Sequence, residues 1–563
     1  MQIGRRAARW QTTGIAAATA LALAVLVGSA VTAPAATGAV QAGRPMADLP
    51  PDAAYPPVDC AAGPRAPGWL RTENARRGSA WTQPKTVVRG RKVAVPAPVV
   101  GYASQSSAVC GEGVSVSLSA PAGQPGGVRL AAYRLGWYHG TGSRLVWQSS
   151  AFKPGPQPVP GRDRATRLIE PTWSTTVRLP VTADWPPGMY ALVPVRGTAQ
   201  AGPIIPLVVR DDAGSEPVLF MASTLTWQAY NSWGGWSLYA GPSGNYAQRA
   251  ADRARVVSLN RPLAGAGYDQ FQNMDLPVVR WVESLGIDIA YTTDVAIDSW
   301  PSQLLRHAEL LVGGHSEYWT TRMYDAAEAA TAAGMNVALL GANNLWWHAR
   351  LAADGTREAV YRVAAEDPMA AVDPAETTVL WRQDPLSRDA SVITGESHAA
   401  IEVRGGLQLL SPPAWFVAGT SLRSGSVLPG AVGNEADGYS PLADHPQSVQ
   451  VLAAGVLTGS YGPVSVSTIY AVLDSGAAVF SAGTTDWACE LGSGCPDRGA
   501  TTATRTAVRA LTRNVVLALA DPNTGRLHPA VPVLPPPVAE ARRTLARGAV
   551  GTYGAVTPVP GKV

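Results

Sequence analysis

Several things are scarce in this chain of 563 residues, and each scarcity closes a door. There are four cysteines and seven histidines, and none of the cysteines stands in a CxxC or Cys–His spacing, so nothing in the spacing supports a thiolate metal site as the competitor to disulfides. Charged residues make up 15 %, the net charge is only +4, and no basic block with interleaved aromatics occurs; nucleic acid is therefore not an expected partner. After residue 31 no apolar run is long enough to span a bilayer, and no apolar tail closes the chain. No repeat is visible.

What is present begins with an export signal. Arg5, Arg6 and Arg9 precede an apolar run over 15–31, and Ala33-Pro34-Ala35 supplies a small-x-small cleavage pattern. Residues 1–35 are thus read as a signal peptide; a retained anchor is the rival. Secretion or display at the cell surface follows, with no membrane span in the mature chain. An oxidising compartment fits the even cysteine count, and of three possible pairings the two local ones, Cys60–Cys110 and Cys489–Cys495, are expected.

Residues 36–67 are rich in Ala, Pro and Gly and read as an irregular lead-in. Over 68–210 the pattern is all-β: 114–118 alternates strictly, 128–133, 176–179 and 189–194 are further strands, and Gly/Pro clusters punctuate them. That predicts an antiparallel sandwich. After a polar junction at 210–216 the rhythm changes. Strands at 218–221, 287–291, 309–312 and 336–340 alternate with helices at 277–284 and 321–333, which predicts an α/β domain over 216–525 built on a parallel sheet. The stretch 360–461 has no clean period and is expected to add strands and loops. A hairpin (468–473 with 477–482) and a helix at 504–520 follow, and the proline-rich tail, taken as 526–563, should be loose.

The polar clusters fall where the strands end. Leu310-Leu311-Val312-Gly313-Gly314-His315-Ser316-Glu317-Tyr318-Trp319 runs from an apolar strand through two glycines into an imidazole, a hydroxyl and a carboxylate, with Thr320 placed to cap the next helix. Polar residues 224–231, Thr293-Asp294, Asn343-Asn344 and Thr484-Thr485-Asp486 follow other strands, so all should share one carboxyl edge, where open α/β sheets bind ligands. Trp227, Tyr230, Trp233, Trp236, Tyr239, Tyr318, Trp319, Trp346 and Trp347 share those loops and can wall a pocket, stack on sugars or plug an interface. Purely structural duties also exist: Glu317 as a helix cap, His315 as a satisfied loop histidine, the tyrosines as packing, Asn343 as a turn former. His307 is read as exposed, and His348 and His398 lack an evident partner.

Tyr133-Arg134-Leu135-Gly136-Trp137-Tyr138, Thr226-Trp227-Gln228-Ala229-Tyr230-Asn231, Gly234-Gly235-Trp236-Ser237-Leu238-Tyr239, Ser258-Leu259-Asn260-Arg261-Pro262, 313–319 and Gly341-Ala342-Asn343-Asn344 occur in one order over about 130–520. Together they resemble the secreted relatives of the N,N-dimethylformamidase large (beta) subunit. The resemblance implies a glutamine-amidotransferase-like α/β domain preceded by a β-sandwich, and hydrolysis of a small tertiary amide at a mononuclear iron held by two tyrosinates and a glutamate. Carried onto this chain, Glu317 is the carboxylate ligand, Tyr230 one phenolate, and Tyr239 the preferred second with Tyr268 the fallback. His315 and Asn343 match active-site neighbours.

Such residues suit that chemistry. Oxygen donors suit a hard cation, and phenolates favour ferric iron. His315 can move protons and Asn343 can donate to an oxyanion. The reading is an exported metal-dependent hydrolase of a small amide-like substrate. Its alternative is a non-enzymatic carbohydrate- or cell-surface-binding protein on the same scaffold. A serine route through Ser316 is disfavoured, because Tyr318 replaces the glycine that a Gly-x-Ser-x-Gly elbow requires.

Overall fold

The computed structural model describes residues 65–535, apart from 82–86, 89–90, 93–97, 125, 243–244, 441–447, 461 and 496–498. The signal peptide, nearly all of the lead-in, Cys60 and the end of the tail lie outside the described residues.

Eight strands carry the two main sheets of the first part: β1 Val100–Ala103, β2 Ser107–Val109, β3 Gly113–Ser119, β4 Val128–Leu135, β5 Ser143–Gln148, β6 Val177–Pro180, β7 Gly188–Arg196 and β8 Ile205–Arg210. They form a sheet ordered β2-β8-β7-β4-β5, with Ala199–Gln200 added to β7, and a smaller sheet ordered β1-β3-β6. Alternation along the strands sorts their side chains into two cores. Leu130, Ala132, Tyr190 and Leu192 face Val114, Val116 and Leu118 of the smaller sheet. Ala131, Tyr133, Leu135, Met189 and Ala191 face the other way, into a core shared with the second part. The larger sheet is therefore covered on both sides. One helix interrupts the expected all-β run: α1, Trp69–Asn74, which directs the N–H groups of Gly68 and Leu70 at Asp288.

The second part is built on a nine-stranded mixed sheet. Its strands are β9 Val218–Ala222, β10 Ile289–Thr293, β11 Glu309–Val312, β12 Asn336–Leu339, β13 Glu396–Leu409, β14 Val427–Tyr439, β15 Ser448–Gly459, β16 Gly462–Val472 and β17 Ala478–Ser481. The order is β10-β9-β11-β12-β17-β16-β15-β13-β14. The first five are mutually parallel and the rest antiparallel. Expectation of a parallel sheet thus holds for half of it. Helices cover both faces. Residues Val218, Phe220 and Ala222 meet α3 (Leu276–Glu283), α6 (Asp486–Leu491) and α7 (Thr502–Leu519), whereas Leu219 and Met221 meet α2 (Thr224–Tyr230), α4 (Asp294–Ser299) and α5 (Thr321–Ala332). On α7 alone Val508, Leu511, Val515, Val516 and Leu519 are buried at helical spacing; each contributes roughly 1.5–3 kcal/mol.

An ion pair bolts the two parts together. Arg134, wholly buried on β4, donates to both oxygens of Glu283 on α3 at 2.6 and 3.1 Å, and to the carbonyl of Pro187. Tyr291 donates to the same carboxylate, while Tyr138 donates to Glu73 of α1 at 2.7 Å. The tail also departs from expectation. Residues Thr524–Leu527 are helical, Val533 bridges Gln450 on β15, and Tyr470 donates to the His528 carbonyl at 2.7 Å. No helix among the described residues is long and apolar enough to cross a membrane.

Candidate functional site

Strand order brings the sequence clusters together. Between β9 and β11 the connections leave in opposite directions, and a crevice opens at the carboxyl ends of such neighbouring strands. From β9 the chain enters α2, which carries Thr226 and Tyr230. Arg261, 2 % exposed, donates to the carbonyls of Gln228, Asn231, Trp233 and Trp236, fixing the segment that runs from Tyr230 to Tyr239.

From β11 the chain makes its double-glycine turn. Close approach, not a left-handed backbone, requires those glycines: a Cβ on Gly313 would lie 1.9 Å from Asp275 Oδ1, and one on Gly314 2.5 Å from the Ala488 methyl. The loop is then tied down. Ser316 N donates to Asn344 Oδ1, and Glu317 N to Thr226 Oγ1, both at 3.0 Å. Trp346 and Trp347 donate their N–H groups to the Glu317 carbonyl. Thr320 caps α5 by accepting from Met323 N, so Glu317 is not the cap and its carboxylate is free to face the site.

Tyr239 donates its phenol hydrogen to Glu317 Oε2 at 2.5 Å. Its ring lies 4.3 Å from that of Tyr230, which in turn lies 5.6 Å from the His315 imidazole. Tyr268, the fallback ligand, packs on Phe271 instead, with no ring contact or hydrogen bond to Glu317. His315 is 1 % exposed; its Nδ1 pairs with Gln270 Oε1 at 3.0 Å, so Nε2 carries the lone pair. That Nε2 has no hydrogen-bond partner and sits 3.7 Å from both Glu317 Oε2 and Glu435 Oε2.

Glu435 is the carboxylate that the sequence reading missed. It stands on β14, which together with β13 forms a long hairpin with three register shifts. The hairpin turns back across the end of β17: Asp437 N donates to the Gly483 carbonyl at 3.0 Å, and Thr485 N to the Glu435 carbonyl at 3.1 Å. Glu435 accepts from Asn343 Nδ2 at 2.6 Å, and Asp437 accepts from the backbone N–H of Asn343, held at φ 54°. His398 on β13 lies against Asp437, and its ring is 5.0 Å from Trp346.

Burial dominates the electrostatics. It pushes the Tyr230 and Tyr239 phenols well above their ordinary range, with the Glu317 carboxylate adding to both. It raises Glu317 and Glu435 and lowers His315. Arg362 covers one side: its guanidinium lies 4.1 Å from the Tyr239 ring centre and 4.6 Å from that of Trp347, and donates to Tyr318 OH at 2.6 Å.

Elsewhere the expected cluster divides. Trp227, Tyr318 and Trp319 belong to the core. Trp233 and Trp236 meet Trp173 and Arg162 of the first part. Asp294 accepts from Thr224 and Leu225 at the start of α2, and Thr293 caps α4, so both serve the helices. His307 is half-buried on the Glu216 carbonyl, not exposed. His348 is sealed between Thr321 and the Thr377 carbonyl. The Ser316 hydroxyl accepts from the Trp319 indole and meets no imidazole, which removes its base. Cys489 and Cys495 are joined, and Cys110 is disulfide-bonded.

The N,N-dimethylformamidase beta subunit-like, C-terminal family model matches residues 129–498, two thirds of the chain. The chain belongs to that family. A search of curated proteins finds no match. The dimethylformamidase-like match starts on β4 and runs past Cys495, so it takes in Arg134 with Glu283 as well as every residue of the tyrosine–glutamate cluster. In this chain the Tyr-Arg-Leu-Gly-Trp-Tyr motif at 133–138 thus serves as a bolt between the two parts and makes no contact with the tyrosine–glutamate cluster among the described interactions.

Proposed function

We propose that this chain is an exported hydrolase that cleaves an amide-like C–N bond at the loop-built site on the carboxyl edge of the sheet. In this reading residues 68–210 are a sandwich domain, and 216–525 a glutamine-amidotransferase-like frame. Family membership supports the reaction class, and one observation carries the site: two phenols, the Glu317 carboxylate and the bare Nε2 of His315 converge within contact of one another.

The donor set fits ferric iron. Glu317, Tyr230 and Tyr239 offer hard oxygens, and the buried groups that raise one another's pKa values here are those a cation would relieve. When bound, the ion supplies Lewis-acid polarisation of the amide carbonyl. Gln270 fixes the tautomer of His315, whose Nε2 takes a proton from the attacking water. Glu435, held toward its protonated form by burial, gives a proton to the departing nitrogen as the C–N bond breaks; the products are a carboxylic acid and an amine. One Nδ2 hydrogen of Asn343 orients Glu435, and the second is left for the developing oxyanion.

Reconstitution tests this. Purified chain loaded with ferric iron should show a visible phenolate absorption band, lose it in Glu317→Gln, and release dimethylamine from N,N-dimethylformamide. A colourless wild type that takes up no iron and binds glycans would overturn the reading in favour of a binding protein.

A further inference from the structure

Arg362 is a half-buried cation with no direct ion pair: among the described residues no carboxylate lies within 4.0 Å of its guanidinium, and the Glu317 and Glu358 carboxylates act on it only from farther off. The Tyr239 and Trp347 rings cover its faces, and Tyr318 OH occupies one of its five N–H groups. Its Nε is buried and has no acceptor. Buried donors without partners are rare in native proteins, and a guanidinium edge offers paired N–H groups that match a carboxylate.

The backbone pays to put it there. Arg362 sits at φ 66°, while Tyr361 N donates to Thr378 Oγ1 and Arg362 N to the Thr378 carbonyl, each at 2.8 Å. Non-glycine residues held in this region gather at ligand clamps. Arg382 lies 4.4 Å from the ring centre of the adjacent Trp346, so a second cation flanks the same tryptophan pair. The side chains of Glu317 and Glu435 are only 3 % and 13 % exposed. Positive charge on the aromatic wall and acid–base groups within would hold a bipolar ligand with its anion outward and its amide inward.

We infer that Arg362 is the specificity residue of this site, binding the carboxylate of an N-acyl amino acid-like substrate. The inference rests on the hydrolase reading for the word substrate, and its test does not need turnover. Calorimetry with the full-length chain would compare N-acetylglycine, its neutral N-methylamide, and acetate, which represents the carboxylate released on hydrolysis.

N-acetylglycine should bind at least tenfold more tightly than the N-methylamide. Arg362→Gln should abolish that preference, and Arg362→Lys should recover part of it, with near-UV circular dichroism confirming an unchanged fold. Trp347→Ala, which uncovers one face of the guanidinium, should weaken N-acetylglycine alone. Equal affinities in the wild type, or a preference that persists in Arg362→Gln, would overturn the inference. Acetate binding as tightly as N-acetylglycine would also overturn it, assigning Arg362 to the product. Arg362-dependent binding with no cleavage of any amide would sink the hydrolase reading only; cleavage of N,N-dimethylformamide with no carboxylate preference would sink this inference only.

Discussion

Asn343 donates to Glu435 at 2.6 Å, joining the loop after β12 to the edge strand β14 across 92 positions of sequence. The contact holds a second carboxylate 3.7 Å from His315 Nε2, the same distance as Glu317. Glu435→Gln keeps the size and the hydrogen bond but cannot give up a proton. Its kcat for N,N-dimethylformamide should fall by ~10²–10⁴ with iron content unchanged. Asn343→Ala removes both the hydrogen bond that orients Glu435 and the oxyanion donor, and should lower kcat by ~10²–10³. A Glu435→Gln enzyme at wild-type rate would remove that residue from the chemistry.

The two tyrosine candidates separate spectroscopically. Tyr239→Phe should shift or erase the visible band of the iron-loaded protein, because its phenol is the one bonded to Glu317. Tyr268→Phe, altered only at the Phe271 contact, should leave the band where it was. The reverse result would restore Tyr268 as the ligand.

Breaking the bolt between the two parts should be expensive. Arg134→Met strands the Glu283 carboxylate in a dry interior, with a cost of about 3–5 kcal/mol in urea unfolding. Arg134→Met combined with Glu283→Leu removes both charges and should regain much of that loss. A single variant as stable as the wild type would mean that water reaches Glu283.

Stability should also fall with rising pH through one buried acid. Asp275 accepts from Ser223 N and the Trp227 indole, and burial raises its pKa to about 8 from 3.8. A raised carboxyl contributes stability fully below about pH 4, and that contribution is lost as pH climbs through about 8. Asp275→Asn keeps an acceptor for both donors and cannot ionise. Its denaturation midpoints should therefore decline less over this window, whereas Asp275→Ala, which leaves both donors unpaired, should cost about 1–3 kcal/mol below about pH 4 and progressively less as the wild-type acid ionises. Parallel wild-type and Asn curves would show that Asp275 is not the titrating group.

The loops after β9, β11 and β12 were legible because each is local: an apolar run, a break, then polar side chains at the sheet edge. His315, Glu317, Tyr230, Tyr239 and Asn343 all fall in such loops, and the family resemblance alone gave them roles. Glu435 was not, since its hairpin slips register three times and so shows no sustained period. A weaker signal was available: Glu435 and Asp437 flank Ala436, which puts two carboxylates on one face of a strand. Arg134 with Glu283 was illegible for another reason. Charged residues normally mark surface, and only the packing of one part on the other makes these two interior.

The back-folded hairpin has a temporal meaning. The phenols, Glu317 and His315 all lie within the first 318 residues, but the Glu435 carboxylate set against them arrives only with residue 435, on a strand that must first pair and then curl over β17. Contacts of such long range form late. A chain cut before Tyr439 would lack β17, the neighbour of β12, and Ala488, against which Gly314 packs, so the cluster at the sheet edge closes only after the last strands and helices have docked.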